Sequence, residues 1–126
     1  MTRTPPLTIL LAEDDPSVRS LARTILTRSG YTVLEASDGD KAVELAAQHN
    51  GPIDLLLTDI AMPGTGGRAL DARLTEMRPK LKTLFMSGDP TNAIVREGAT
   101  VIMAPFLPKP FTQEMLVRAV RTVLDG

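Results

Sequence analysis

The sequence predicts an α/β domain in which a parallel sheet of five strands carries helices on both faces. Three observations lead there. Apolar runs of strand length recur at 7–12, 31–36, 53–59, 81–86 and 101–107, each bounded by turn residues. Between them lie segments whose apolar residues repeat at helical spacing. The connections are short, and strands that alternate with helices close into a parallel sheet because each helical crossover returns the chain in the same direction.

Taken in order, residues 1–6 form a loose lead-in. The run 7–12 is apolar apart from Thr8 and drives into three acids, Glu13, Asp14 and Asp15. Asp15 suits the cap of the following helix and Pro16 its first turn, while Val18, Leu21, Ala22, Ile25 and Leu26 supply the apolar stripe. Gly30 marks its end. After the strand 31–36, Ser37-Asp38-Gly39 opens a second helix with Ala42, Val43, Leu45 and Ala46, which stops at Asn50-Gly51-Pro52. The third run ends at Asp59 and a Met62-Pro63-Gly64 turn. A third helix is expected over about 67–77, before Pro79. The fourth strand closes on Ser87-Gly88-Asp89, and 90–97 predicts a short, weak fourth helix. Pro105 and Pro108 each remove a ladder donor, so the fifth strand belongs at a sheet edge. Thr112 caps a final helix bearing Met115, Leu116, Ala119, Val120, Val123 and Leu124.

Composition narrows the function. A chain of 126 residues, 43% apolar and 23% charged, fits a single domain over 1–126 with its core in about 7–124. Net charge is −1 with Lys and Arg scattered, so no basic stripe offers a nucleic-acid surface. The absence of cysteine excludes thiol chemistry and disulfides. No apolar run reaches membrane-spanning length, and residues 1–6 lack a signal-peptide core, so the cytoplasm is the expected location.

The chemistry gathers at the strand ends. Strands one, three, four and five end in Glu13-Asp14, Asp59, Ser87 and Lys109. In a parallel sheet those ends face one way, so the four groups can meet in one crevice. Each has a plainer reading alone: Glu13 and Asp14 as acids favoured by a helix dipole, Asp59 and Ser87 as turn residues, Lys109 as a surface lysine. Asp15 is assigned to the plain reading, as a cap. Joint occurrence at four strand ends favours a functional crevice. Clustered carboxylates repel unless they share a cation, and an all-oxygen set suits a hard ion such as Mg²⁺. A lysine and a hydroxyl beside them can hold phosphoryl oxygens, and Asp59 can take a phosphoryl group as an acyl phosphate.

Four motifs resemble the receiver domain of two-component response regulators: Glu13-Asp14-Asp15-Pro16 with Arg19, Asp59 with Met62-Pro63, Ser87-Gly88, and Phe106 ahead of Lys109-Pro110-Phe111. The resemblance spans about 7–124. It implies a flavodoxin-like doubly wound sheet in the order 2-1-3-4-5. It also implies Asp59 as phosphoacceptor, Asp14 as a direct Mg²⁺ ligand, Glu13 as one acting through water, and the backbone carbonyl of Ala61 as a further ligand. Ser87 and Lys109 would hold phosphoryl oxygens, and the Lys109-Pro110 bond would be cis. Ser87 and Phe106 would form the switch that remodels a surface of the fourth helix, fifth strand and last helix. Ala61 and Asp89 would set how fast water removes the phosphoryl group.

The implied partners are a sensor histidine kinase or histidine phosphotransfer protein, small phosphodonors, and a downstream protein target reached without nucleic acid or membrane. A monomer or a phosphorylation-dependent dimer fits. Such a domain is no enzyme beyond its own phosphorylation and dephosphorylation. Phe85-Met86-Ser87-Gly88 and 106–111 look most like receivers of hybrid sensor kinases. Phe106 departs from relatives that carry tyrosine, so its part in a switch rests on packing alone.

Rival functions fit less well. An aspartyl-phosphate phosphatase of the haloacid dehalogenase type needs Asp-x-Asp, whereas Asp59-Ile60-Ala61 lacks the second acid. Gly64-Thr65-Gly66-Gly67 has neither nucleotide-binding spacing and reads as a flexible loop. The alternative is a phosphorylation-independent, receiver-like binding module.

Overall fold

The computed structural model describes residues 6–88 and 105–126. Among them five strands, β1 (Thr8–Ala12), β2 (Thr32–Ala36), β3 (Leu55–Asp59), β4 (Lys82–Ser87) and β5 (Phe106–Pro108), form one parallel sheet in the order β2-β1-β3-β4-β5. Four helices accompany them: α1 (Pro16–Arg28), α2 (Gly39–Gln48), α3 (Gly67–Met77) and α4 (Gln113–Asp125). This is the doubly wound, flavodoxin-like arrangement expected from the sequence. The short helix expected over 90–97 lies outside the described residues.

Strand periodicity divides the core in two. Ile9, Leu11, Leu55 and Leu57 face α1 and α4, packing on Ala22, Leu26, Leu116 and Val120. Leu10 and Leu56 point the other way, onto Ala42, Ala46, Leu70 and Leu74 of α2 and α3. Both faces of β1 and β3 are therefore covered, which is why these strands are apolar at every position rather than at alternate ones.

The caps predicted at Asp15 and Thr112 are present, and Asp38, from the turn expected to open the second helix, caps α2. Asp15 accepts from Ser17 N–H at 2.8 Å, Asp38 from Lys41 N–H at 2.8 Å, and Thr112 from Met115 N–H at 3.1 Å. Gly30 follows α1 at φ +98°, a conformation other residues adopt only with strain. Leu21 departs from expectation: it is 50% exposed, because the stripe formed by Ala22, Ile25 and Leu26 leaves it on the flank of α1.

The strand expected over 101–107 is described only from Pro105 onward. It begins at Phe106, residues 101–104 lie outside the described set, and Pro105 precedes the strand. β5 does lie last in the sheet order. Pro108 fits there because alternate residues bond to the same neighbour. The Pro105 carbonyl accepts from Phe85 N–H at 3.1 Å and Lys109 N–H donates to the Ser87 carbonyl at 2.9 Å. The Pro108 nitrogen is thus not needed toward β4.

Arg78, just past α3, holds the opposite end of the sheet from the strand-end acids. Its guanidinium donates to the carbonyls of Ala46, His49 and Gly51, each at 2.9 Å, and so satisfies the C-terminus of α2. Charge-assisted hydrogen bonds are the strong ones. Arg78→Ala should therefore lower unfolding stability by about 2 kcal/mol. Urea denaturation of both proteins measures this, and an unchanged midpoint would mean that water replaces the guanidinium at no cost.

Candidate functional site

The carboxyl ends of β1, β3 and β5 bring Glu13, Asp14, Asp59 and Lys109 together, and Ser87 stands at the end of the neighbouring β4. Glu13 follows β1 and is fully buried, Asp59 ends β3 at 5% exposure, and Ser87 ends β4 at 2%. Asp14 is exposed. One oxygen from each of Glu13, Asp14 and Asp59 lies within 4.8 Å of the others. Lys109 enters from the end of β5: its Nζ stands 3.0 Å from Glu13 Oε1 and 3.0 Å from Asp59 Oδ2. The Lys109-Pro110 peptide is cis.

The backbone positions these side chains. Glu13 N–H continues the ladder to the Ala36 carbonyl at 3.1 Å, and Glu13 Oε2 accepts from Asp15 N–H at 3.0 Å. Asp59 Oδ1 accepts from Ala61 N–H at 3.3 Å. Ala61 itself is exposed at the rim. Among the described residues, nothing lies within 4 Å of where a Cβ on Gly88 would stand. Phe106 is half-buried on β5, in register with Phe85. Asp89 lies outside the described residues.

The glycine-rich stretch after Asp59 is more constrained than a flexible loop. Gly67 N–H donates to the Ile60 carbonyl at 2.9 Å, so the start of α3 sits directly on the end of β3. A Cβ on Gly67 would collide with the Asp59 carbonyl oxygen and lie 3.0 Å from Ile60 Cα. Thr65 closes on α2 in the same way: a Cβ on Gly39 would meet the Thr65 carbonyl at 2.7 Å. The Thr65 hydroxyl donates to Asp40 Oδ1 at 3.2 Å. Only Gly64, at φ +75°, uses its conformational freedom.

Electrostatics define what the crevice can accept. Burial pushes the Glu13 carboxyl up to about 7 despite hydrogen bonds from Asp15 N–H and Lys109, and the Asp59 charge pushes in the same direction. Burial works against the Lys109 ammonium, but its bonds to Glu13 and Asp59 outweigh it and hold the group above its usual range. One lysine thus faces three carboxylates. Hard oxygen donors with an uncompensated negative charge match a divalent cation such as Mg²⁺.

Residues 9–121 match the response regulator receiver domain family, and the chain belongs to it. Phosphorylation at an aspartate and Mg²⁺ binding at an acidic pocket are characteristic of that family, whose members are signalling phosphoacceptors of two-component systems rather than classical enzymes. Sensor kinase CckA of Brucella abortus (strain 2308) is 35% identical over 118 residues, which cover 94% of this chain and 12% of that kinase. Response regulator receiver protein CpdR of the same organism is 37% identical over 116 residues, covering 92% of this chain and 95% of CpdR. Among solved structures, the receiver domain from hybrid histidine kinase CckA superposes with a TM-score of 0.78 at 36% identity, covering 93% of this chain and 98% of that one. A response regulator receiver protein from Sinorhizobium medicae WSM419 gives 0.80 at 30% identity, covering 96% of each chain. Likeness thus extends to a kinase far longer than this chain and to a protein of similar length. No helix among the described residues is long and apolar enough to cross a membrane.

Sequence pattern gives no role to two contributors: Arg19, whose Nη1 donates to the Glu13 carbonyl at 2.8 Å, and Gly67, whose tight seat on β3 depends on an approach between segments. The charge imbalance gives a stability prediction. Glu13 has an ordinary value of 4.5 and is raised to about 7 when folded, so the native state binds more protons between those values. Without divalent ions, stability should fall as pH rises through that window, by on the order of 2 kcal/mol. Thermal melts in chelator at pH 5 and pH 8 measure the loss, and Glu13→Gln should remove that component and be the more stable protein at pH 8. A wild type whose stability climbs over the same window would contradict this assignment.

Proposed function

We propose that this receiver takes a phosphoryl group onto Asp59 from a phosphohistidine of a sensor kinase or histidine phosphotransfer protein, and that the product alters a protein-binding surface. The observation that carries the reading is Asp59 Oδ2 held 3.0 Å from Lys109 Nζ, inside a crevice of three convergent carboxylates. Glu13, Asp14 and Asp59, with the Ala61 carbonyl, would hold Mg²⁺. When bound, the ion offsets charge on the transferring phosphoryl oxygens.

The chain's own residues supply the rest. An Asp59 carboxylate oxygen forms the new O–P bond as the N–P bond to the donor imidazole breaks, and the imidazole nitrogen keeps the electron pair. Lys109 and Ala61 N–H hold the carboxylate in place beforehand, so little reorganisation is required. Open space at Gly88 admits the donor. Ser87 and Lys109 receive phosphoryl oxygens, and their joined strand ends pass the change to Phe106 on β5. The surface that responds is the one built around β5 and α4, and a downstream protein reads it.

Intact mass after incubation with acetyl phosphate tests the reaction. Wild type should gain one phosphoryl group only with Mg²⁺ present, and Asp59→Asn should gain none. Absence of any gain with acetyl phosphate and then with a phosphohistidine donor would sink the proposal and leave a phosphorylation-independent binding module.

A further inference from the structure

Arg19 lies in α1, off the four strand ends, yet it is bonded to the crevice. Its Nη1 donates to the backbone carbonyl of Glu13 at 2.8 Å. Its Nε stands 3.7 Å from Glu35 Oε1, while Arg23 Nε holds Glu35 Oε2 at 3.1 Å. Glu35 belongs to β2, in register with Leu11 of β1, so it is anchored by the sheet. Arg19 therefore spans from a fixed carboxylate on β2 to the peptide that joins Glu13 to Asp14.

That peptide matters because of what Asp14 lacks. Glu13 and Asp59 each have their carboxylate held by a backbone N–H and by Lys109. Among the described residues the exposed Asp14 side chain has no hydrogen-bond partner. The backbone therefore sets where its Cα–Cβ bond points, and no hydrogen bond or ion pair among the described residues helps to orient the carboxylate. The Glu13 N–H is fixed by Ala36 and the Glu13 carbonyl by Arg19, so both polar groups of that residue are tied down immediately before Asp14.

We propose that Arg19 is a positioning residue for the cation: by fixing the Glu13–Asp14 peptide it aims the Asp14 carboxylate at the point shared with Glu13 and Asp59. The inference rests on the proposed function and assigns Arg19 a part in it. Outer contacts of this kind tune metal affinity by orienting the ligands. Two effects of removing Arg19 have opposite signs, which makes the idea decidable. Loss of a positive charge near the site would by itself tighten binding of a cation. Loss of aim would weaken it.

Mg²⁺ titrated as its chloride into the ¹⁵N-labelled 126-residue protein, at fixed ionic strength, gives the dissociation constant from amide shifts at Asp14, Ala61 and Gly88. Arg19→Met should bind Mg²⁺ about tenfold more weakly than wild type. Arg78→Ala, destabilised at the far end of the sheet, should keep the wild-type constant, which separates aim from general loss of stability. A constant for Arg19→Met equal to or tighter than wild type overturns the proposal. Should Arg19→Met not fold, Arg19→Gln presents the same opposed signs and the same two outcomes. A wild type that binds no Mg²⁺ would overturn the cation site itself, so the two failures are told apart.

Discussion

One ammonium group set among three carboxylates is the interaction on which the crevice depends. Lys109 Nζ divides itself between Glu13 and Asp59 at equal distances of 3.0 Å, and neither partner can turn to water because both are buried. Like charges so placed would repel and cost stability, and the fold relieves only part of that cost. Burial of Glu13, with the Asp59 charge acting in the same direction, holds its carboxyl up at about 7 despite the lysine. The lysine arrives on β5, the shortest strand, whose pairing with β4 spans three residues. The position of a short edge strand and the charge state of the crevice are therefore a single variable.

The parallel sheet explains why such a cluster forms at all. Carboxyl ends of parallel strands emerge on one side, so residues distant in sequence converge without any loop having to reach across. Glu13 and Lys109 are separated by 96 positions and still share a hydrogen bond. The doubly covered apolar strands make the floor of the crevice dry, which strengthens every charge interaction above it. The same packing that makes β1 and β3 legible as unbroken apolar runs thus sets the electrostatics at their ends.

Local signals in the sequence were read well where one residue decides the local structure. Asp15 and Thr112 cap their helices as expected, and α3 spans the expected residues 67–77, while the turn at Ser37-Asp38-Gly39 supplies a further cap through Asp38. Glu13, Asp59, Ser87 and Lys109 stand at the strand ends that periodicity and parallel topology assign to them. What escaped depends on approach between segments. Arg78 reaches carbonyls 27 to 32 positions away, and nothing in its neighbours announces that. The glycines after Asp59 look flexible in sequence, whereas Gly67 is seated against the Asp59 backbone. Pro105 and Pro108 pointed to an edge strand, and β5 does stand last in the sheet order with Pro105 just ahead of it.

The sharing of Lys109 also bears on how a change at Asp59 would travel. In the proposed reaction the phosphoryl group adds negative charge next to a lysine already claimed by two carboxylates. Lys109 can follow that charge only by giving up part of its bond to Glu13. Its own backbone N–H is fixed to the Ser87 carbonyl at 2.9 Å, so a shift of the lysine is felt at the end of β4 as well as on β5. Phe106 lies three residues earlier on the same short strand, paired with Phe85. On the proposed reading, a charge added at one strand end would become a displacement along the β4–β5 edge, carried by a lysine shared between two carboxylates rather than by a tyrosine hydroxyl.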